Sequence, residues 1–196
     1  MPKLLLTRSV PLIILMLIMA GCSAGGIDTS TGSPPLVTDI QEENMFKLTS
    51  SAFTPGKEIP DRYTYKLGSQ CNGENFSPPL SWEGVPAGTK SLLLTMVDPD
   101  GGNWVHWLLL DIPADVTSLT EVINGPEIGI PGRNSFGENG YGGPCPPSGT
   151  HRYIFTLYAL DTTLNATPGI SLKDAKSLFE NHILAQCELT GLRSRK

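Results

Sequence analysis

From Met45 onward the apolar positions fall in short runs cut by glycine and proline, and only one run has helical spacing. Met45 to Ser50 alternates weakly, Thr54-Pro55-Gly56 interrupts it, and Arg62 to Leu67 and Leu80-Ser81-Trp82 offer two further short strands. Ser91 to Val97 (SLLLTMV) is apolar without alternation, the pattern of a central strand covered on both faces, and Trp104 to Ile112 (WVHWLLLDI) repeats it. A third strong strand runs from Tyr153 to Leu160, rich in aromatic and β-branched residues. Short strands with this punctuation predict a mainly β domain, an all-β sandwich or barrel-like sheet pair. The exception begins at Ser171, a plausible N-cap, after which Leu172, Ala175, Leu178, Phe179, His182 and Ile183 share one helical stripe that would cover an edge of the sheet. On that stripe His182 reads as structural. Glu188 to Gly191 then suggests a short last strand and Arg193 to Lys196 a polar tail.

The stretch Gly140 to Leu160 (GYGGPCPPSGTHRYIFTLYAL) joins a stiff loop to a buried strand. Pro144, Pro146 and Pro147 restrict the unfolded chain, while Gly142, Gly143 and Gly149 permit backbone geometries closed to other residues. At the strand's start a period of two sends His151 and Tyr153 to one face and Arg152 to the other. A second constrained turn, Asp98-Pro99-Asp100, ends the first strong strand, and His106 lies in the next one, where an imidazole must find partners or stay buried and neutral. The chain holds 3 histidines, and two of them sit in strong strands beside its stiffest loops. A shared site for His106 and His151 is therefore expected. The loop-rich segment from Pro113 to Tyr141 leads into it, and ordered loops of that length tend to serve function.

Composition narrows the setting. A chain of 196 residues with net charge −5 and no basic cluster beyond its first ten positions is not a nucleic-acid surface. Residues 1–22 read as a signal peptide: Lys3 and Arg8 precede an apolar core from Val10 to Ala20, and Ile18-Met19-Ala20-Gly21-Cys22 resembles a bacterial lipobox. On that reading acylated Cys22 anchors the protein to an extracytoplasmic membrane surface, residues 23–44 form a flexible tether, and residues 45–196 form the domain. Three further cysteines, Cys71, Cys145 and Cys187, allow one internal disulfide and leave one thiol, with the pair unspecified. Cys145, six residues before His151, is the one candidate nucleophile, although its flanking prolines suit a positioned loop better.

Three motifs in this order carry a resemblance: CNGENFSPPLSWEGVPAGTKS, D-P-D followed by V-H-W, and GRNSFGENGYGGPCPPSGTHRY. Together they resemble the phosphatidylethanolamine-binding protein (PEBP) family, in its bacterial Raf-kinase-inhibitor-like (YbhB/YbcL-type) branch, over about Met45 to Arg193. The resemblance implies an antiparallel β-sandwich with a few peripheral helices, one near the C-terminus, and a small anion-binding pocket recognising phosphate-like head groups. Carried over by position, that pocket is Asp98, Asp100, His106, His151 and Tyr153, with Pro144, Cys145, Pro146 and Pro147 as one wall. The family pattern continues D-P-D with Ala-Pro and a longer loop, whereas here Asp100 leads through Gly101-Gly102-Asn103 directly to Trp104.

The function implied is binding: a small anionic or phosphorylated ligand, with a kinase or protease as possible protein partner and no cofactor. No G-x-S-x-G, phosphate-cradling loop or metal-ligand spacing points to an enzyme. The alternative is a hydrolase using Asp98, His106 and His151 for acid–base chemistry, with or without a metal.

Overall fold

The structure is a computed structural model and describes residues 45–68, 71–123 and 128–195. The signal peptide, Cys22 and the tether lie outside the described residues. In chain order the strands are β1 (Lys47–Thr49), β2 (Lys66–Leu67), β3 (Cys71–Asn72), β4 (Phe76–Ser77), β5 (Leu80–Glu83), β6 (Ser91–Asp98), β7 (Trp104–Pro113), β8 (Ser118–Leu119), β9 (Val122–Ile123), β10 (Ile130–Pro131), β11 (Thr150–Leu160) and β12 (Ile183–Ser194). One helix, α1 (Leu172–Phe179), precedes β12.

Two sheets carry the fold. The larger has the order β10-β7-β6-β11-β12 with every neighbouring pair antiparallel, and the smaller has the order β1-β5-β8. Between them lies the main core: Leu48, Leu80, Trp82 and Leu119 from the small sheet meet Leu92, Leu94, Met96, Trp107, Leu109, Phe155 and Leu157 from the large one. Burial of these side chains is the main force holding the sandwich. The outer face of the large sheet would be left wet were it not for α1, whose Ala175 and Phe179 cover Leu93, Leu108, Leu110 and Leu160. Both faces of β6 and β7 are thus buried, which is why those strands read as unbroken apolar runs.

The β6–β7 pairing is broken at two points. Leu92 pairs with Ile112 and Leu94 with Leu109, so one residue of β6 faces two of β7, one of them Asp111 at φ 52°. Nearer the other end Met96 pairs with Trp107 and Val97 with Val105, which leaves His106 as the extra residue. A bulge re-aims the side chain it carries.

Three expectations are corrected. The helix keeps its Ser171 cap, with the hydroxyl accepting from Asp174 N at 3.2 Å, but ends at Phe179. His182 is therefore off the helix and exposed, bonding Asp161 Oδ1 at 2.7 Å, and Leu178 faces solvent. The proposed short strand and the first two residues of the proposed tail, Arg193 and Ser194, belong to one 12-residue strand, β12, paired along the whole of β11. Between Arg62 and Leu67 the chain makes a 3-10 turn (Asp61–Tyr63) before the two residues of β2.

Candidate functional site

On the inner face of the large sheet the alternation Leu92, Leu94, Met96 continues to Asp98, and Ala159, Leu157, Phe155 continues to Tyr153 and His151. Apolar core gives way to polar groups along the same strands. The bulge brings His106 to this end as well. Asp98, His106, His151 and Tyr153 line one cavity of about 250 Å³, with Gly101, Trp104, Phe136, Cys145 and Pro147 completing its wall.

Asp98 is 4% exposed, and both its oxygens are engaged. Oδ1 accepts from Gly101 N at 2.8 Å, closing the turn, and Oδ2 accepts from His151 Nδ1 at 2.7 Å. A carboxylate can only accept, so His151 carries its hydrogen on Nδ1. The other ring nitrogen is a base when the ring is neutral and a donor when it is protonated. His106, 3% exposed, is bonded through Nδ1 to Gly142 O at 2.6 Å. Burial is the main cause of its low pKa, down to about 4, so the ring is neutral at neutral pH.

Tyr153 is fully buried, and its hydroxyl makes no well-formed hydrogen bond, Asp98 being the acceptor it approaches; among the described residues Trp107 Nε1 is the other side-chain atom left so. Burial, and then the nearby Asp98 charge, push its pKa well up, so it is a donor at all ordinary pH. A buried hydroxyl without a well-formed hydrogen bond is costly, and here it borders a cavity.

The loop over the cavity is fastened by its backbone. Gly142 N donates to His106 O at 2.8 Å, Tyr65 N to Pro144 O at 3.1 Å, and Gly143 N to the Asn75 side chain at 2.8 Å. A Cβ on Gly143 would run into the Tyr63 carbonyl, so the close approach needs glycine there. Cys145 is disulfide-bonded to Cys71, which fixes the loop to β3 and removes the thiol proposed as a nucleophile. Among the described residues Cys187 is the free cysteine, its thiol pushed up to about 12 chiefly by burial.

Of the expected site residues, Asp98, Cys145, His106, His151 and Tyr153 come together, and three do not line the cavity. Asp100 turns outward, bonding Arg152 through its backbone N at 2.9 Å and through Nε and Nη2 at 3.0 and 2.8 Å. That guanidinium holds the Asp100 carboxyl far below the usual carboxylate range. Of the expected wall, Pro144 and Pro146 shape the loop without lining the cavity, while Cys145 and Pro147 line it. Sequence reasoning missed the aromatic wall: Phe136 stacks on Tyr65 with ring centroids 4.3 Å apart and meets Trp104 and His106 edge-on.

Residues 49–194 match the family profile described as phosphatidylethanolamine-binding protein. The chain belongs to the phosphatidylethanolamine-binding protein family. Among PEBP relatives, a UPF0098 protein of Methanothermobacter thermautotrophicus is 47% identical over 76% of this chain and 98% of its own length. The UPF0098 protein PH1269 of Pyrococcus horikoshii is 38% identical over 95% of this chain and 89% of its own length. In three dimensions the chain is similar to Escherichia coli YbcL, a PEBP family member, with a TM-score of 0.71 and 34% identity over 77% of this chain and 99% of YbcL. The PEBP homologue CT736 of Chlamydia trachomatis gives 0.70 and 38% over 78% and 99%. The expected family, branch and mainly β fold therefore hold.

Proposed function

We propose that this PEBP-family protein binds a small anionic or phosphorylated ligand, a phosphate monoester or phospholipid head group, in the cavity lined by Asp98, His106, His151 and Tyr153. The observation that carries the reading is the buried Tyr153 hydroxyl, a fixed donor without a well-formed hydrogen bond beside two imidazoles. Charge-assisted bonds from His151 and Tyr153 to anionic oxygens would satisfy it. The lipobox adds the setting: acylation of Cys22 would hold the domain at an extracytoplasmic membrane surface, where occupancy of the pocket would modulate a partner kinase or protease.

Calorimetric titration of the full-length protein in detergent with phosphate, phosphoethanolamine and nucleoside monophosphates tests the ligand, alongside His151→Ala. Saturable binding that the variant loses is expected. Unchanged affinity would remove His151 from the site. Globomycin-type inhibition of signal processing, or mass analysis of Cys22, tests the anchor.

One observation favours hydrolysis as a second reading. Asp98 holds His151 in the tautomer that leaves Nε2 as a base, the arrangement of an oriented general base. Release of phosphate from aryl phosphates, sensitive to Asp98→Asn, would support it.

A further inference from the structure

The Gly142 carbonyl decides how His106 can act. A carbonyl oxygen only accepts, so Nδ1, 2.6 Å away, must carry the hydrogen. With the ring kept neutral by burial and its hydrogen on Nδ1, Nε2 carries a lone pair, and the ring lines the cavity. A buried acceptor of this kind needs a donor from whatever fills the space.

The charges around it are few. Asp98 on β6 and His151 and Tyr153 on β11 face the ring, together with the backbone of Gly142 and Gly143. Among the described residues no lysine or arginine lines the cavity. Arg193 on β12 acts on Tyr153 from farther off but is committed to Asp61 at 2.7 Å, Glu58 at 3.7 Å and the Ile59 carbonyl at 2.9 Å. Arg152 points outward to Asp100. The walls thus supply two donors, the Tyr153 hydroxyl and protonated His151, and at most one positive charge, against the Asp98 carboxylate and the His106 lone pair.

A phosphate dianion fits this set badly. One of its oxygens would meet Nε2 lone pair to lone pair, and its second charge would stand beside Asp98 without a cation. A singly protonated monoester fits at every contact, with P–OH donating to His106 and the other oxygens accepting from Tyr153 and His151. We infer that His106 is a specificity-determining proton acceptor, fixed in that role by Gly142, and that the site takes phosphate monoesters in their singly protonated form. This rests on the phosphate-ligand reading above. Above the ligand's second pKa, about 6, binding then draws one proton from solvent onto a phosphate oxygen, and no covalent bond to phosphorus changes.

The test compares phenyl phosphate with methyl phenyl phosphate, a diester that is singly charged but has no P–OH. Both place a ring against the Trp104 and Phe136 wall. Titration of the full-length protein at pH 8 in buffers of different ionisation enthalpy counts the protons taken up per ligand bound. The expected result is about one proton more for the monoester, and at pH 6, a monoester affinity on the order of tenfold tighter than the diester's. His106→Asn keeps an amide donor for the Gly142 carbonyl and removes the ring Nε2, its own amide oxygen lying nearer the backbone and out of reach of a group placed for Nε2, so the extra proton and the preference should both disappear. An extra proton that persists in His106→Asn would lie on His151 and would overturn the inference, as would equal uptake and equal affinity for the two ligands in the wild type. The wild-type comparison is decisive even if the variant does not fold. If neither ligand binds, the phosphate-ligand reading falls, and this inference with it.

Discussion

The two irregularities of the β6–β7 pair use one device for opposite ends. At Asp111 the extra residue sits at φ 52°, and its carboxylate accepts from Leu164 N at 2.7 Å and Ala166 N at 2.9 Å, tying down the segment that follows β11. At His106 the extra residue turns an imidazole toward a cavity, where one ring nitrogen is tied to the Gly142 carbonyl. The first bulge is complete within the protein, and the second is complete only with something added. A bulge by itself is therefore silent about function; what distinguishes the two is whether the polar atoms around it are satisfied.

The largest way to disturb the contrast is to release the pocket's wall. Replacing Cys71 and Cys145 together by alanine removes a link across a sequence separation of 74 and should lower stability by about 4 kcal/mol. Urea denaturation would read it, with ligand affinity falling as well because Cys145 lines the cavity. Next in size is a pH effect confined to the second bulge. His106 stays neutral in the fold down to about 4 from an ordinary 6.5, so the unfolded chain binds the proton first as pH falls. Stability should then drop by about 3 kcal/mol between those values and be flat in this respect above them. Denaturation of His106→Asn across the same range should show that slope removed; an unchanged slope would place it elsewhere.

Asp111→Ala should cost about 2–3 kcal/mol, from two amides left without an acceptor, while ligand affinity at the distant cavity is unaffected. A loss of binding equal to the loss of stability would mean that the two bulges are coupled. Tyr153→Phe gives the smallest change and the sharpest contrast, because the hydroxyl makes no well-formed hydrogen bond within the protein. Stability should stay level or rise by up to about 1 kcal/mol while ligand affinity falls on the order of tenfold. A destabilised Tyr153→Phe would show that the hydroxyl has a partner in the unliganded state.

The strands that carry the site were legible because both their faces are covered, so their composition is apolar throughout. His151 and Tyr153 were legible as a pair because a period of two needs no knowledge of neighbours. The inward turn of His106 was not: strict alternation from Trp107 would send it outward, and the extra residue is a property of the pairing with Met96 and Val97, which one strand's sequence cannot display. Asp100 was placed in the pocket by carrying the family's D-P-D over by position, but only a structure shows Arg152 collecting the second carboxylate. The helix was carried too far, through His182 and Ile183, because both fall at positions that an apolar helical stripe begun at Leu172 and Ala175 prefers. Pairing along the full length of β11 overrides that preference. Phe136 lies in a glycine-rich loop with no periodicity to mark it, and its role follows from the stack with Tyr65.

The bond between Cys71 and Cys145 also sets an order of events. All the pocket's polar groups belong to β6, β7 and β11, so hydrophobic collapse alone can bring them together. The wall opposite them is secured by a separate chemical step that reaches back to a part of the chain made much earlier. A copy held where thiols stay reduced would be a well-folded sandwich with a loosely closed mouth. Maturation of the binding site would then report on where the chain has travelled, and newly made protein would stay unready until it arrived.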